Sequence, residues 1–119
     1  MTTDRDARMQ AYQRALQDVA PQWAELGAKV LTGDVWERPG LSKRDRSLIT
    51  VAASIALYRS GQLPDHIRRA LDNGVTKEEI GETITHLAFY AGWPAAANAV
   101  VLAKQAFDER FSVPLDSNR

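Results

Sequence analysis

The chain contains no cysteine, which excludes disulfide bonds, thiolate catalysis and cysteine zinc sites. It also lacks an excess of either charge, because 15 Lys and Arg side chains balance 15 Asp and Glu side chains. Phosphate binding needs clustered positive charge, so we expect no nucleic-acid partner. No run of about 18 apolar residues and no signal peptide is found, so we expect a cytoplasmic protein without membrane contact.

The common cofactor and metal motifs are missing as well. The two histidines, His66 and His86, are far apart in the sequence and do not form the helical i, i+4 pair typical of zinc sites. Neither a glycine-rich phosphate loop nor a Gly-x-Ser-x-Gly elbow occurs. We therefore expect a protein that uses no metal.

The apolar residues recur at spacings of three and four, which predicts an all-α protein of about six helices. The length of 119 residues fits one domain, 1–119. Glycine and proline breakers place the predicted helices at 4–19, 21–32, 43–59, 64–72, 77–91 and 95–111. The tail after Val113 is predicted to fray.

Capping patterns and one polar stripe add detail to this prediction. Ser42 with Asp45, and Thr76 with Glu79, have the spacing of capping boxes at the third and fifth helices. The third helix is apolar on nearly all sides, which is typical of a central helix. Its polar residues form one line that faces solvent, or bonds backbone carbonyls, or instead lines a wet pocket: Ser47, Thr50, Ser54 and Tyr58.

The two histidines are the first candidates for chemistry, although a lone histidine is more often structural. His66 lies in the first turn of the fourth helix, where the helix start attracts anions, lowers the histidine pKa and favours neutral imidazole. Glu82, His86 and Tyr90 follow at steps of four and share one helix face. This face is either a solvated charged stripe or a carboxylate-oriented imidazole beside a phenol.

The arginines are the candidates for anion binding. Most are expected at the surface, but Arg38 is held between Trp36 and Pro39 in a stiff loop. A planar guanidinium binds a carboxylate in bidentate fashion, so Arg38 is a candidate anchor for an acid.

Two long motifs and the segments between them resemble the gamma-carboxymuconolactone decarboxylases, in the wider alkylhydroperoxidase D-like superfamily. The resemblance covers about residues 30–107. The motifs are Val35-Trp36-Glu37-Arg38-Pro39-Gly40-Leu41-Ser42 with Arg44-Asp45-Arg46-Ser47-Leu48-Ile49, and His86-Leu87-Ala88-Phe89-Tyr90-Ala91-Gly92-Trp93-Pro94. The segments between them are His66-Ile67-Arg68-Arg69-Ala70-Leu71 and Asn73-Gly74-Val75-Thr76-Lys77-Glu78-Glu79-Ile80.

The superfamily's redox branch carries Glu, Cys-x-x-Cys and His, and only the histidine, His66, is present here. The other positions are Ser47, Arg59 and Gln62. The resemblance therefore implies the decarboxylase branch: an alkylhydroperoxidase D-like helical subunit that forms a hexamer or trimer and needs neither metal nor organic cofactor. The implied reaction is decarboxylation of a small lactone acid such as 4-carboxymuconolactone, in the breakdown of aromatic compounds.

The resemblance also implies roles for particular residues. His66 would be the proton donor or an oxyanion ligand, His86 the second polar group, and Glu82 its orienting carboxylate. Arg38 or Arg46 would anchor the substrate carboxylates. Aromatic residues would wall the pocket, with core packing as the competing interpretation: Trp36, Tyr90 and Trp93. Ser54 and Tyr58 stand where smaller or more apolar residues are expected, which favours a changed substrate.

The sequence is also compatible with three other functions. The first is a family member with another substrate or reaction, such as a decarboxylase or cyclase that acts on another small acid in secondary metabolism. The second is a non-catalytic oligomeric module that binds an acid. The third, a small helical DNA-binding protein, is disfavoured by the zero net charge.

Overall fold

The computed structural model describes residues 4–111 of the chain, so the predicted fraying after Val113 lies outside the described residues. Within this range the regular structure is entirely helical, without strands, and comprises six α-helices. They are α1 (Asp4–Val19), α2 (Pro21–Leu26), α3 (Lys43–Ala56), α4 (Leu63–Asp72), α5 (Lys77–Ala91) and α6 (Trp93–Phe111). The prediction of an all-α protein is confirmed.

The chain divides into two compact units, Met1–Gly40 and Leu41–Arg119, and the single domain over 1–119 stays a prediction. In the first unit, Pro21 opens α2, where its missing N–H costs no hydrogen bond. The helix continues as a π-helical segment, Gly27–Thr32, and a 3-10 turn follows at Val35–Glu37. Among the side chains described between residues 4 and 40, none is buried.

The second unit is a four-helix arrangement. Helices α3 and α5 run in the same direction, because Arg44 pairs with Glu79 near their starts while Ala52 and Leu87 line one groove towards their ends. Helices α4 and α6 run the opposite way. The core between the four helices is apolar and consists largely of Val51, Ile55, Leu63, Ile67, Ala70, Ile80, Ala99, Ala103 and Ala106.

Polar contacts at the helix edges fix how these helices pair. The Asn73 side chain donates to the Ser47 hydroxyl over 2.8 Å, which joins the end of α4 to the start of α3. The Asn98 side chain donates to Ser60 over 2.8 Å and ties α6 to the loop before α4. Ion pairs of Arg68 with Glu109 and of Arg110 with Asp72 join α4 to α6.

Of the two predicted capping boxes, the one at α5 is confirmed, while α3 shows only the Ser42 half. The Ser42 hydroxyl accepts the Asp45 backbone N–H over 3.0 Å. At α5 the capping box is complete: Thr76 accepts the Glu79 N–H over 3.1 Å, and the Glu79 carboxylate accepts the Thr76 N–H over 2.9 Å. Local side-chain bonds therefore set these two boundaries.

Three predicted boundaries are wrong by one to three residues. Helix α3 ends at Ala56 instead of residue 59, because Tyr58 takes a left-handed φ of 60°. Its N–H donates to Ile55 over 3.1 Å and the next N–H, of Arg59, donates to Ser54 over 2.8 Å, which is a Schellman ending. Helix α4 begins at Leu63, and α6 begins at Trp93, directly after Gly92 at φ 107°.

The polar line on α3 faces the neighbouring helices. Ser47 and Ser54 are buried, and the Thr50 hydroxyl donates to the Arg46 carbonyl over 2.8 Å. Thr50 thus bonds a backbone carbonyl, as one interpretation of this line expects, whereas Ser47 accepts from the Asn73 side chain. The prediction that α3 is enclosed on nearly all sides is wrong at Ile49, which is 55% exposed.

Candidate active site

An open groove of about 430 Å³ runs between α3 and α5. Its walls are mostly apolar, and the ionisable side chains that line it are Glu82 and His86. The Thr83 hydroxyl, also on the wall, donates to the Glu79 carbonyl over 2.8 Å and is thereby satisfied. The remaining lining consists of Leu48, Ile49, Ala52 and Leu87. An imidazole and a carboxylate in apolar walls make this groove the candidate site for a small polar molecule.

His86 is held by an aromatic neighbour. Its ring stacks on Tyr90, one helical turn later, with ring centroids 4.9 Å apart and an angle of 28° between the planes. This contact limits rotation of the imidazole while leaving the residue exposed at the groove.

Glu82 lines the same groove as His86, one turn earlier. Among the described residues no hydrogen bond or ion pair joins the two side chains. The structure thus brings together three residues of the predicted set, Glu82, His86 and Tyr90, but leaves Glu82 apart from the imidazole. A hydrogen bond between them would have to form when substrate fills the groove.

One end of the groove is framed by an ion pair between its two helices. Arg44 of α3 bonds to the Glu79 carboxylate of α5. The Thr76 backbone N–H holds the pKa of Glu79 below its usual value, and the Arg44 guanidinium acts in the same direction. Glu79 is therefore ionised at neutral pH, and the pair sets the spacing of the helices that carry the groove.

His66 lies outside this groove. It is half-buried in the first turn of α4, and its backbone N–H donates to Gln62 over 3.1 Å. Burial lowers the pKa of the His66 imidazole, and the nearby Arg69 charge lowers it further against a smaller opposing effect of Asp65. The lowered pKa agrees in direction with the sequence prediction, and burial is the largest of these three effects.

Other predicted site residues lie at different places in the second unit. Arg46 is half-buried on α3, Ser54 is buried, and Tyr58 is 59% exposed just beyond the helix. None of these three lines the α3/α5 groove. Trp93 begins α6, packs edge to face on Phe89 with centroids 6.0 Å apart, and lines a different groove between α5 and α6.

Trp36 and Arg38 belong to the first unit. The Arg38 guanidinium donates from Nε and Nη2 to the two carboxylate oxygens of Asp34, over 3.0 and 3.1 Å. These hydrogen bonds lower the pKa of Asp34. This is the bidentate geometry expected for a substrate carboxylate, and here Asp34 occupies it. Trp36 is half-buried.

Sequence reasoning missed the walls of the groove. Leu48 and Ala52 on α3 face Thr83 and Leu87 on α5, a constant offset of 35 along two parallel helices. The i, i+4 spacing within each helix was visible, but the pairing of the helices was not. The ion pairs of Arg68 were also not predicted: its guanidinium bridges Asp65 and Glu109.

The described residues contain neither a helix that could span a membrane nor a cluster that could bind a metal. None of the helices between residues 4 and 111 is both long and apolar enough to cross a bilayer. Over the same residues, no cluster of three or more His, Asp or Glu side chains has the geometry to hold a metal ion.

The described residues form an all-α protein in which one apolar groove is lined by a histidine and a carboxylate. The profile of the Carboxymuconolactone decarboxylase family matches residues 21–105. The chain belongs to this family, and the family prediction is confirmed.

Curated relatives agree with this placement. The chain is 38% identical to a 4-carboxymuconolactone decarboxylase of Acinetobacter baylyi, over 87% of this chain and 78% of the relative. It is 34% identical to the nitrosuccinic acid decarboxylase npaB of Metarhizium robertsii, over 82% of this chain and 70% of the relative. The chain is 31% identical to a 15.0 kDa protein of Paracoccus denitrificans, over 81% of this chain and 73% of the relative. Two of these three relatives are named as decarboxylases.

Proposed function

We propose that the protein is a carboxy-lyase that decarboxylates a small lactone acid resembling 4-carboxymuconolactone, giving 3-oxoadipate enol-lactone in the breakdown of aromatic compounds. The observation that carries the proposal is the α3/α5 groove, which sets Glu82 and His86 among apolar walls. The Acinetobacter relative supports the substrate class, because its name specifies this reaction.

The chemistry requires no cofactor because the substrate accepts its own electrons. The bond between the ring carbon and the departing carboxylate breaks, and carbon dioxide leaves. The electron pair passes through the ring double bond to the lactone carbonyl oxygen, forming a dienolate. A proton then adds to the ring carbon beside that carbonyl. The protein must hold the carboxylates, stabilise the oxyanion and supply the proton.

His86 is assigned the proton transfer in this proposal. It stands exposed on the groove wall, where it can take a proton from solvent and pass it to a bound ring. Its stacking on Tyr90 fixes the ring plane. Glu82 accepts a hydrogen bond from the other imidazole nitrogen once substrate displaces water, which holds the ring in one tautomer.

His66 is assigned the second role, as an oxyanion ligand. Burial and Arg69 lower its pKa, so a neutral imidazole that donates one N–H is the main form at neutral pH. Neutral imidazole suits hydrogen bonding to an oxyanion better than proton donation. Because His66 does not line the α3/α5 groove, this role requires substrate to reach the start of α4.

The remaining residues are assigned binding roles. Arg38 or Arg46 anchors carboxylates; for Arg38 the substrate must displace Asp34, with which it already makes bidentate contact. Tyr90, which stacks on His86, is assigned to the wall of the α3/α5 groove. Ser54 and Tyr58 do not line this groove, Trp93 lines another, and Trp36 belongs to the first unit, so their contacts with substrate stay predictions.

Self-association and cytoplasmic location complete the proposal. Large apolar side chains are exposed in both units, including Trp23 at 58%, Phe89 at 77% and Val101 at 67%. Exposed apolar side chains of this size are typical of surfaces that a partner covers. We infer a homo-oligomer, a hexamer or a trimer.

The test is release of carbon dioxide from 4-carboxymuconolactone by the purified protein, before and after exhaustive chelation and thiol alkylation. Saturable turnover that survives both treatments is the expected result. Binding without carbon dioxide release would overturn the enzyme assignment in favour of an acid-binding module. Turnover that stops with a chelator and returns with a metal would overturn the cofactor-free mechanism.

A second substrate is favoured by one observation, the 34% identity to a nitrosuccinic acid decarboxylase. In nitrosuccinic acid the nitro group is the electron sink beside a departing carboxylate, so the same three demands on the protein apply. Running both acids in the same assay decides between them by the ratio of their kcat/KM values.

A further inference from the structure

The α3/α5 groove ends in an ion pair on one side. Residues of α3 face residues of α5 across the groove at the constant offset of 35, and the ion pair of Arg44 with Glu79 keeps this offset. Arg44 precedes Leu48 by four residues, about 6 Å along α3. Glu79 precedes Thr83 by the same distance on α5. The ion pair therefore extends the groove by one helical turn, beyond its apolar walls.

The two ends of the groove differ in electrostatic potential. Because α3 and α5 run in the same direction, both helices begin at the Arg44 end and both finish at the other. The first three residues of the two helices together carry three basic and three acidic side chains, whose charges balance. The two helix dipoles do not cancel, since parallel dipoles add. The Arg44 end is therefore the more favourable end for an anion.

Arg44 is held in place and is still accessible. Its Nη2 donates to the Glu79 carboxylate, and its Nη1 donates to Asp45 over 3.4 Å. Among the described residues these bonds use two of the five N–H groups of the guanidinium, so three are left for another anion. The Arg44 side chain is 36% exposed. A carboxylate in the groove can thus bind Arg44 without displacing Glu79.

The two arginines predicted from the sequence as anchors lie elsewhere. Arg46 does not line the groove. Arg38 belongs to the first unit, where Asp34 already makes the bidentate contact. Arg44, by contrast, belongs to α3 and is fixed to α5, the two helices that form the groove. Of the three arginines, Arg44 is therefore the best placed to meet a substrate there.

Only one of the two carboxylates of 4-carboxymuconolactone leaves as carbon dioxide. A cation beside the departing carboxylate would stabilise the charge that the reaction removes, and would therefore raise the barrier. A cation beside the retained carboxylate contacts substrate and transition state equally, so it adds affinity without slowing the reaction. The departing carboxylate fits the other end of the groove, near Ala52 and Leu87. The helix ends there favour its conversion to neutral carbon dioxide.

We propose that Arg44 binds the retained carboxylate of a dicarboxylate substrate and thereby directs the departing carboxylate toward Ala52 and Leu87. This assignment rests on the proposed function and adds to it the residue that sets the orientation of the substrate. His86 lies in the second half of α5, toward the end where the carboxylate departs.

The first experiment measures the kinetics of carbon dioxide release by full-length variants. Arg44→Gln should raise KM for 4-carboxymuconolactone about 10- to 100-fold, as expected for loss of a hydrogen-bonded charged partner, and should leave kcat near the wild-type value. Arg44→Lys should recover part of the affinity, because it keeps the charge but not the planar fork. An unchanged KM in Arg44→Gln, or a fall in kcat alone, would overturn the assignment.

Arg110→Gln is the matched control for this experiment. Arg110 also forms an ion pair between two helices, with Asp72 across α4 and α6, and its exposure of 43% is similar to that of Arg44. It does not line the α3/α5 groove. Its substitution should therefore leave KM at the wild-type value.

The second experiment identifies which carboxylate Arg44 binds. The diacid is compared with the same lactone carrying an amide in place of the retained carboxylate. The wild-type protein should prefer the diacid about 10- to 100-fold in kcat/KM, and Arg44→Gln should lose this preference, as in a double-mutant cycle. A preference of the same size in both proteins would overturn the assignment.

A third variant separates substrate binding from the spacing of the helices. Glu79→Gln removes the same ion pair from the α5 side but leaves the guanidinium, and its amide oxygen can still accept the Thr76 N–H. KM should therefore rise much less than in Arg44→Gln. Equal increases in the two variants would show that the ion pair acts by spacing the helices, and would overturn the assignment.

Calorimetric titration with glutarate, an unreactive dicarboxylate, separates failure of this assignment from failure of the proposed function. A wild-type protein that releases no carbon dioxide would overturn the proposed function, and glutarate then tests Arg44 by itself. Its saturable binding should weaken about 10- to 100-fold in Arg44→Gln. Normal wild-type turnover together with equal glutarate affinity in the two proteins would overturn only the role of Arg44. A wild-type protein that does not bind glutarate would also overturn that role.

Discussion

The two faces of α5 differ in chemistry although the grooves beside them are of similar size, about 430 Å³ on one side and 370 and 340 Å³ in the two pockets of the other. The face toward α3 carries Glu82 and His86. The face toward α6 carries Gly81, Ile84 and Thr85, which are small or uncharged. Because helical periodicity separates neighbouring residues by about 100°, one helix can present two sides of different chemistry. The type of residue, not the volume, distinguishes the two grooves.

The largest expected effect comes from removing the imidazole on the reactive side. His86→Ala should lower kcat/KM for the decarboxylation by about 10²–10⁴-fold, the usual contribution of a positioned proton donor. The oligomer mass and melting temperature should stay at the wild-type values, because His86 is exposed. Steady-state kinetics and light scattering on one preparation check this. Near-normal turnover would remove His86 from the mechanism.

The same substitution placed in each groove sharpens the comparison. Ala52→Trp fills the α3/α5 groove and should lower kcat/KM about 100-fold by excluding substrate, with the oligomer mass unchanged. Ala97→Trp fills the α5/α6 groove and should leave kcat/KM near the wild-type value, because that groove is lined by neither Glu82 nor His86. An equal loss of activity in the two variants would contradict the comparison between the grooves.

Substitution of Glu82 should lower kcat/KM less than substitution of His86, since Glu82 acts through the imidazole. Glu82→Gln should lower kcat/KM about tenfold and alter the pH profile of kcat, because a neutral amide holds the imidazole less strictly in one tautomer. Glu78→Gln is the matched control: it is exposed, lies one turn earlier on the same helix and lines neither groove. Equal rates for the two variants would contradict the role of Glu82.

The smallest expected effect concerns stability and His66. Its pKa in the folded protein is lowered from 6.5 by burial and Arg69, so the unfolded chain binds the proton more readily in the pH window just below that value. Stability is therefore lost as pH falls through this window and regained as it rises. His66→Gln should flatten the curve of unfolding free energy against pH below 6.5, measured by urea denaturation. An unchanged slope would show that the imidazole is not desolvated.

The fold followed from the sequence wherever local bonds decide it. The start of α5 was predicted because Thr76 and Glu79 bond each other within one turn. The end of α3 was missed because Tyr58 occupies a left-handed position that usually takes glycine. A tyrosine there gives no sequence signal that the helix stops.

For the candidate site too, local spacing predicted some residues, and contacts between helices, which the sequence does not show, place the others. Glu82, His86 and Tyr90 were placed on one face from their spacing alone, and they lie there. The α3 wall of the groove could not be predicted, because it depends on the parallel pairing of α3 with α5. The pairing of Arg38 with Asp34 was also not predicted. Asp34 precedes Arg38 by four residues, but this spacing alone does not show whether the guanidinium binds Asp34 or a substrate carboxylate.

The central claim is that the substrate sits in the α3/α5 groove against His86. The chain has two histidines, so nuclear magnetic resonance of the ¹⁵N-labelled imidazoles gives two sets of ring signals, assigned with His66→Gln. Titration with an unreactive small dicarboxylate should shift the His86 signals in a saturable way, and Ala52→Trp should abolish that shift. Saturable binding that leaves the His86 signals unmoved would contradict the account.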